Sequence, residues 1–148
     1  MTPIHHYVDS SAVLAVVLED RQVLEPIEGS TQVASSRLLW VEVSRALHRA
    51  LQTQRLDPTA ATEARHSFAR LAAGIGRIRI TDSVLHRAEG PYPLVVRTLD
   101  ALHLACAELW LADTEIPDEP ASLAVWSLDE RMNHCAAHLG FATPLLGV

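Results

Sequence analysis

Residues 6–14 read His-Tyr-Val-Asp-Ser-Ser-Ala-Val-Leu, a short apolar run that stops at Asp9 and turns through two serines into a helical pattern. A buried strand that ends this way leaves its aspartate at the carboxyl edge of a sheet, where open α/β folds collect ligands. Asp9 is therefore a candidate site residue. Asp and Ser also satisfy orphan backbone N–H groups at helix starts, so capping of a helix that begins near Ala12 is the competing reading.

Outward from this stretch, strand and helix patterns alternate. Residues 11–20, SAVLAVVLED, are apolar nearly all round and suit a buried helix. Residues 29–54 open with a strand-like piece and become helical from about Ser36, with Leu39, Val43, Ala46 and Ala50 on one face. Asp57-Pro58 supplies an N-cap and a first-turn proline for a helix with Ala61, Ala64, Phe68 and Leu71 inward and Gly74 at its close. GRIRIT (76–81) alternates like a strand, DSVLHRAEG (82–90) reads as a short helix, and RTLDALHLACAELWLA (97–112) as a stronger one with Leu99, Leu102, Cys106 and Leu109 inward. After the acidic loop 113–120, SLAVWS (122–127) is a buried strand, residues 128–140 form a last helix ending at Gly140, and FATPLL (141–146) is a possible edge strand. Alternation of this kind implies parallel pairing, hence an α/β fold built as a three-layer α/β/α sandwich around a mainly parallel sheet.

A chain of 148 residues, 49% hydrophobic, fits one domain with a sizeable core. No apolar run approaches the roughly 20 residues needed to cross a bilayer. The start, MTPIHHYVDS, lacks a signal-peptide pattern, so the cytoplasm is the expected location and no membrane role is expected. Cys106 and Cys135 match no metal-ligand spacing and read as reduced core residues. A formal charge of −6 argues against holding nucleic acid by bulk positive charge, but allows an acidic site loaded with cations. All 12 basic residues are arginine, so phosphate contacts would use guanidinium forks.

Three further acids stand at element boundaries or beside apolar helix faces: Glu42 in WVEVSRAL, Asp100 in RTLDALHLA and Asp129 in WSLDERM. With parallel strands, Asp9 and Asp129 both fall just past strand carboxyl ends. Each acid also has a bland reading. Glu42 can pair with Arg45 or be solvated, and Asp100 can complement a helix dipole. Ser127 and Glu130 can form a capping box that leaves Asp129 a mere first-turn acid.

Taken together, YVDSSAVL, WVEVSRAL, RTLDALHLA and VWSLDERM…AAHLGF resemble, in order and spacing, the PIN-domain ribonucleases, particularly the toxins of VapBC toxin-antitoxin pairs. The resemblance runs from about Ile4 to Phe141, with RTLDALHLA its strongest match and residues 52–79 similar only in general character. It implies a PIN-like fold and an acidic quartet of Asp9, Glu42, Asp100 and Asp129, with supporting hydroxyls at Ser11 and Ser127. The family often has Thr where this chain has Ser127. The resemblance further implies RNA cleavage that leaves a 5′-phosphate and a 3′-hydroxyl, a cognate VapB-like antitoxin, and a homodimer. The antitoxin is expected on apolar, Arg-bearing helices between Leu47 and Phe68.

Such a quartet calls for a particular chemistry. Two carboxylates 4 Å apart repel by roughly 4 kcal/mol at an effective dielectric near 20, so clustered acids call for cations. An all-oxygen set suits Mg²⁺ or Mn²⁺, which activate water for attack on phosphorus. Arg97, just ahead of Asp100, is placed either to meet a substrate phosphate or to form a structural salt bridge. His103 reads as a packed histidine rather than a ligand, given its apolar neighbours, and His5 and His6 point to opposite strand faces. A phosphoaspartate receiver would need a phosphate-contacting Lys, and a haloacid-dehalogenase-type phosphatase a second Asp where Ser11 stands. The remaining alternative is a non-catalytic PIN-like protein that binds RNA or a partner chain.

Overall fold

A computed structural model describes residues 2–148. Among these residues four short segments form strands: β1 (His5–Val8), β2 (Val33–Ser36), β3 (Gly76–Ile78) and β4 (Leu123–Trp126). Six helices alternate with them: α1 (Ser10–Glu19), α2 (Leu38–Gln52), α3 (Pro58–Ala72), α4 (Asp82–Glu89), α5 (Thr98–Ala112) and α6 (Glu130–His138). All strand pairs are parallel, in the order β3-β2-β1-β4. The chain is thus an α/β protein with a parallel central sheet, as its alternating patterns predict.

Strand alternation builds two cores. Val8, Ala124 and Trp126 face Val13 of α1, Leu39, Val43 and Leu47 of α2, and Ala64 and Phe68 of α3. Tyr7, Leu123 and Val125 face the opposite way, against Leu104, Ala105 and Cys106 of α5 and Met132, Cys135 and Ala136 of α6. Both faces are covered, the usual condition of an all-parallel sheet. Both cysteines are free and buried, in keeping with their reading as core residues. Among the described residues no helix is long and apolar enough to cross a membrane.

Some details differ from expectation. Leu99 is 46% exposed, because α5 is buried nearly all round and its innermost side is drawn by Ala101, Leu104 and Ala105. Leu47 rather than Ala46 completes the buried stripe of α2. Asp57 caps α3 as expected, accepting from Ala60 N at 2.7 Å, whereas Gly74 lies beyond a right-handed C-cap at Ala73. The 141–146 segment makes only a one-residue parallel bridge, Ala124 to Ala142; Pro144 soon after it has no N–H with which to continue a ladder.

The strand order also locates a crevice. From β1 the chain proceeds to β2 and β3 on one side, and β4 returns to the other side of β1. α1, which follows β1, covers one face of the sheet, while α6, which follows β4, covers the opposite face. Helices diverging from adjacent strands open a crevice beyond the strand carboxyl ends, the usual ligand position in open α/β sheets.

Candidate active site

A cleft of about 480 Å³ lies at this reversal point, lined by Asp9, Glu42, Asp100 and Asp129 together with Ser10, Ser11 and Arg97. The fold therefore brings all four acids to one cleft, although they come from four different segments. Asp9 follows β1, Glu42 lies one turn into α2, Asp100 is in the first turn of α5, and Asp129 follows β4.

Asp9 is 4% exposed and held at both oxygens. Its Oδ1 accepts from Ser10 N at 2.7 Å, so Asp9 does cap α1. Its Oδ2 accepts from Ser11 Oγ and from Ser127 Oγ, each at 2.7 Å. Each hydroxyl has a single proton, and both protons go to this oxygen; the 3.2 Å contact between the two serines has none left. The serine oxygens in turn accept backbone N–H groups, Leu128 N to Ser11 at 2.9 Å and Asp129 N to Ser127 at 3.0 Å. Asn133 secures the same loop by donating to Ser127 O at 2.7 Å. Asp9 thus organises the turn after β4 as well as its own helix.

The capping box expected at Ser127–Glu130 is shifted. Asp129 is itself the N-cap of α6, accepting from Met132 N at 3.0 Å, because Ser127 is committed to Asp9. Glu130 lies outward, 3.5 Å from His134.

Glu42 is held from two sides. Ser10 Oγ donates to its Oε2 at 3.2 Å, and His103 Nε2 stands 2.5 Å from its Oε1. The same nitrogen is 3.8 Å from Asp9 Oδ1. On the other side of the ring, His103 Nδ1 lies 2.6 Å from Tyr7 Oη, which accepts from Ser36 N at 3.1 Å. Burial pushes the Tyr7 phenol well above its ordinary pKa, so it stays protonated and able to donate. For His103, burial disfavours the charged ring, but the Glu42 hydrogen bond and the charges of Asp9, Glu42 and Asp100 outweigh it and raise its pKa overall. The expectation of a merely packed histidine is therefore corrected: His103 is buried, but within a polar chain that ends on a cleft carboxylate.

Asp100 feels both its burial and its acidic neighbours. Its carboxyl is pushed above the usual range by partial burial first, then by Asp129 and Asp9, against smaller opposing effects from the Arg97 backbone and His103. Arg97 is exposed at the N-cap of α5 and enters none of the ion pairs among the described residues, so the structural salt bridge is not formed. His5 and His6 serve packing: His5 meets Trp110 edge-on, and His6 accepts from Trp126 Nε1 at 3.1 Å.

Sequence reading missed Ser10, Tyr7 and the part played by His103. Ser10 was legible as the first hydroxyl of the Asp-Ser-Ser turn. The pairing of His103 with Glu42, 61 residues away, leaves no local signature.

The donors fit a hard divalent cation. They are carboxylate and hydroxyl oxygens, with no thiol, and the His103 nitrogens are both engaged. Among the described residues no three Asp, Glu, His or Cys side chains close tightly around one point. Mg²⁺ typically retains several waters and takes one or two carboxylates, so an open acidic wall is compatible with it. Fold and site together define an α/β sandwich with an acidic crevice at the reversal point of its sheet. Comparison of the chain with family models, curated proteins and solved structures returned no match.

Proposed function

We propose that the protein is a Mg²⁺- or Mn²⁺-dependent endoribonuclease of PIN-domain type, the toxin half of a VapBC-like pair. The observation that carries this reading is the gathering of Asp9, Glu42, Asp100 and Asp129 around one cleft, where a single guanidinium, that of Arg97, faces four carboxyl groups. Such a wall costs stability unless a cation is part of the working state.

The carboxylates of Asp9, Glu42, Asp100 and Asp129 would hold the ion. When bound, it lowers the pKa of a coordinated water and neutralises charge on the leaving oxygen. Ser11 and Ser127 fix the Asp9 carboxylate, and Ser10 ties Asp9 to Glu42, donating its backbone N–H to the first and its hydroxyl to the second. Arg97, at the cleft wall, offers a guanidinium fork to a phosphate of the substrate.

The antitoxin remains part of the proposal. Between Leu47 and Phe68, where it was expected, those two side chains are buried and the space between α2 and α3 is about 210 Å³. A larger apolar trough, about 870 Å³, runs beside the acidic cleft and shares Arg97 and Thr98 with it. A peptide lying in this trough could send a basic side chain into the cleft. The homodimer rests on resemblance alone, and sedimentation of the purified chain tests it.

The decisive experiment is incubation with total cellular RNA in Mn²⁺, in excess chelator, and in chelator followed by excess Mg²⁺. Cleavage is expected only with metal, leaving 5′-phosphate ends. Undiminished cleavage in chelator, or binding of RNA without cleavage under all three conditions, overturns the reading.

A further inference from the structure

We infer that His103 is a positioning residue: braced by Tyr7, it holds the Glu42 carboxylate at the cleft wall through Nε2–H···Oε1 and so sets the affinity of the cleft for a divalent cation. This deepens the metal-dependent reading above and rests on it.

Proton accounting supports the direction of the chain. With Tyr7 donating to Nδ1, the other ring nitrogen is the one that carries a proton and gives it to Glu42 Oε1, 2.5 Å away. Tyr7 Oη already accepts from Ser36 N, and donates its own proton to His103 Nδ1. The sequence Ser36 N–H, Tyr7, His103, Glu42 is then satisfied at every link. Its anchor is rigid, because Tyr7 and His103 are each 1% exposed and Ser36 is wholly buried, whereas the Glu42 side chain is 20% exposed.

Two consequences follow for the cleft. Glu42 is the longest of the four acids, and without the brace its side-chain torsions would have to be ordered when an ion binds; with it, they are ordered on folding. The protonated Nε2 also lies 3.8 Å from Asp9 Oδ1, so one N–H edge sits between two carboxylates and eases their approach. His103 has no free lone pair to offer a metal. Its effect is exerted through Glu42, as partners of metal-holding carboxylates commonly act.

The test compares the parent with His103→Gln, His103→Asn, His103→Phe and Tyr7→Phe. Gln can present an amide N–H near the place of Nε2; Asn has the same polarity but is too short. Calorimetric titration with Mn²⁺ is expected to give near-parental affinity for His103→Gln. Losses of about 10- to 100-fold are expected for His103→Asn and His103→Phe, with Tyr7→Phe between. In RNA cleavage the loss should fall on kcat with KM little changed. In a Glu42→Gln background, removing His103 should weaken Mn²⁺ no further. Melting curves check folding, and Tyr7→Phe with His103→Asn carries the comparison if His103→Phe does not fold. Mn²⁺ affinities of His103→Asn and Tyr7→Phe within twofold of the parent overturn the inference. If the parent binds no Mn²⁺, the metal reading fails, and with it the claimed effect on affinity. The brace itself is judged by crystal structures: a Glu42 carboxylate that keeps its place in His103→Asn overturns it too.

Discussion

Asp100 is where the two readings of an acidic residue make opposite predictions. Its folded-state pKa lies above the ordinary carboxylate value, so the native state binds more protons than the unfolded chain in the interval between them. Stability contributed by the neutral form is present at low pH and is lost as pH rises through that interval. Asp100→Asn makes the neutral form permanent. Without metal the variant should therefore melt at or above the parent at neutral pH, and this advantage should shrink as pH falls through the acid range. A residue serving only the helix dipole would instead cost about 0.3–1 kcal/mol when neutralised. Added Mg²⁺ should stabilise the variant less than the parent, and cleavage should collapse. Thermal melts across pH, with and without Mg²⁺, separate the outcomes. A variant that melts lower without metal, keeps the parent's Mg²⁺ shift and still cuts RNA returns Asp100 to dipole stabilisation alone.

Among the elements, the end of α6 and the start of α3 test stability apart from chemistry. Gly140 follows α6 at φ +92°, and a Cβ there would stand 3.0 Å from Pro120 Cβ. Gly140→Ala should cost about 1–3 kcal/mol. Asp57→Ala removes the cap on Ala60 N and should cost about 0.5–2 kcal/mol. Both should appear in urea unfolding as a lower midpoint with an unchanged slope. Neither residue lines the cleft, so cleavage below the melting range should persist. These positions were legible because capping chemistry is local: Asp-Pro announces α3, and Gly140 needs only the left-handed turn after α6. Strand positions were legible for a similar reason, since the buried run of β4 and the alternation around β3 are both local patterns. The inner face of α5 was not, because a helix apolar all round has no period that separates Leu99 from Leu104.

For the molecule as a whole, a formal charge of −6 and a single arginine at the cleft limit how RNA, the proposed substrate, could be held. Each phosphate neutralised on a single strand adds about 0.7 to the slope of log affinity against log salt. With Arg97 and a bound cation as the contacts, the slope of log KM against log KCl should stay below about 2, and Arg97→Ala should reduce it by roughly 0.7. A much steeper slope would point to a basic surface elsewhere. The four acids were legible in sequence because each stands at a boundary that parallel topology carries to one edge. The links joining them were not: Asp9 meets Ser127 across 118 residues and Tyr7 meets His103 across 96, distances at which local patterns are silent.

That 118-residue span bears on how the protein is made. β1, with Asp9 at its end, leaves the ribosome more than a hundred residues before its partner β4 and the Ser127–Asp129 turn. Until they emerge, Asp9 lacks one of its two hydroxyl donors and the cleft lacks one of its acids. If the cleft cuts RNA, its full set of acids is assembled only once β4 has been made, so the order of synthesis itself delays the activity.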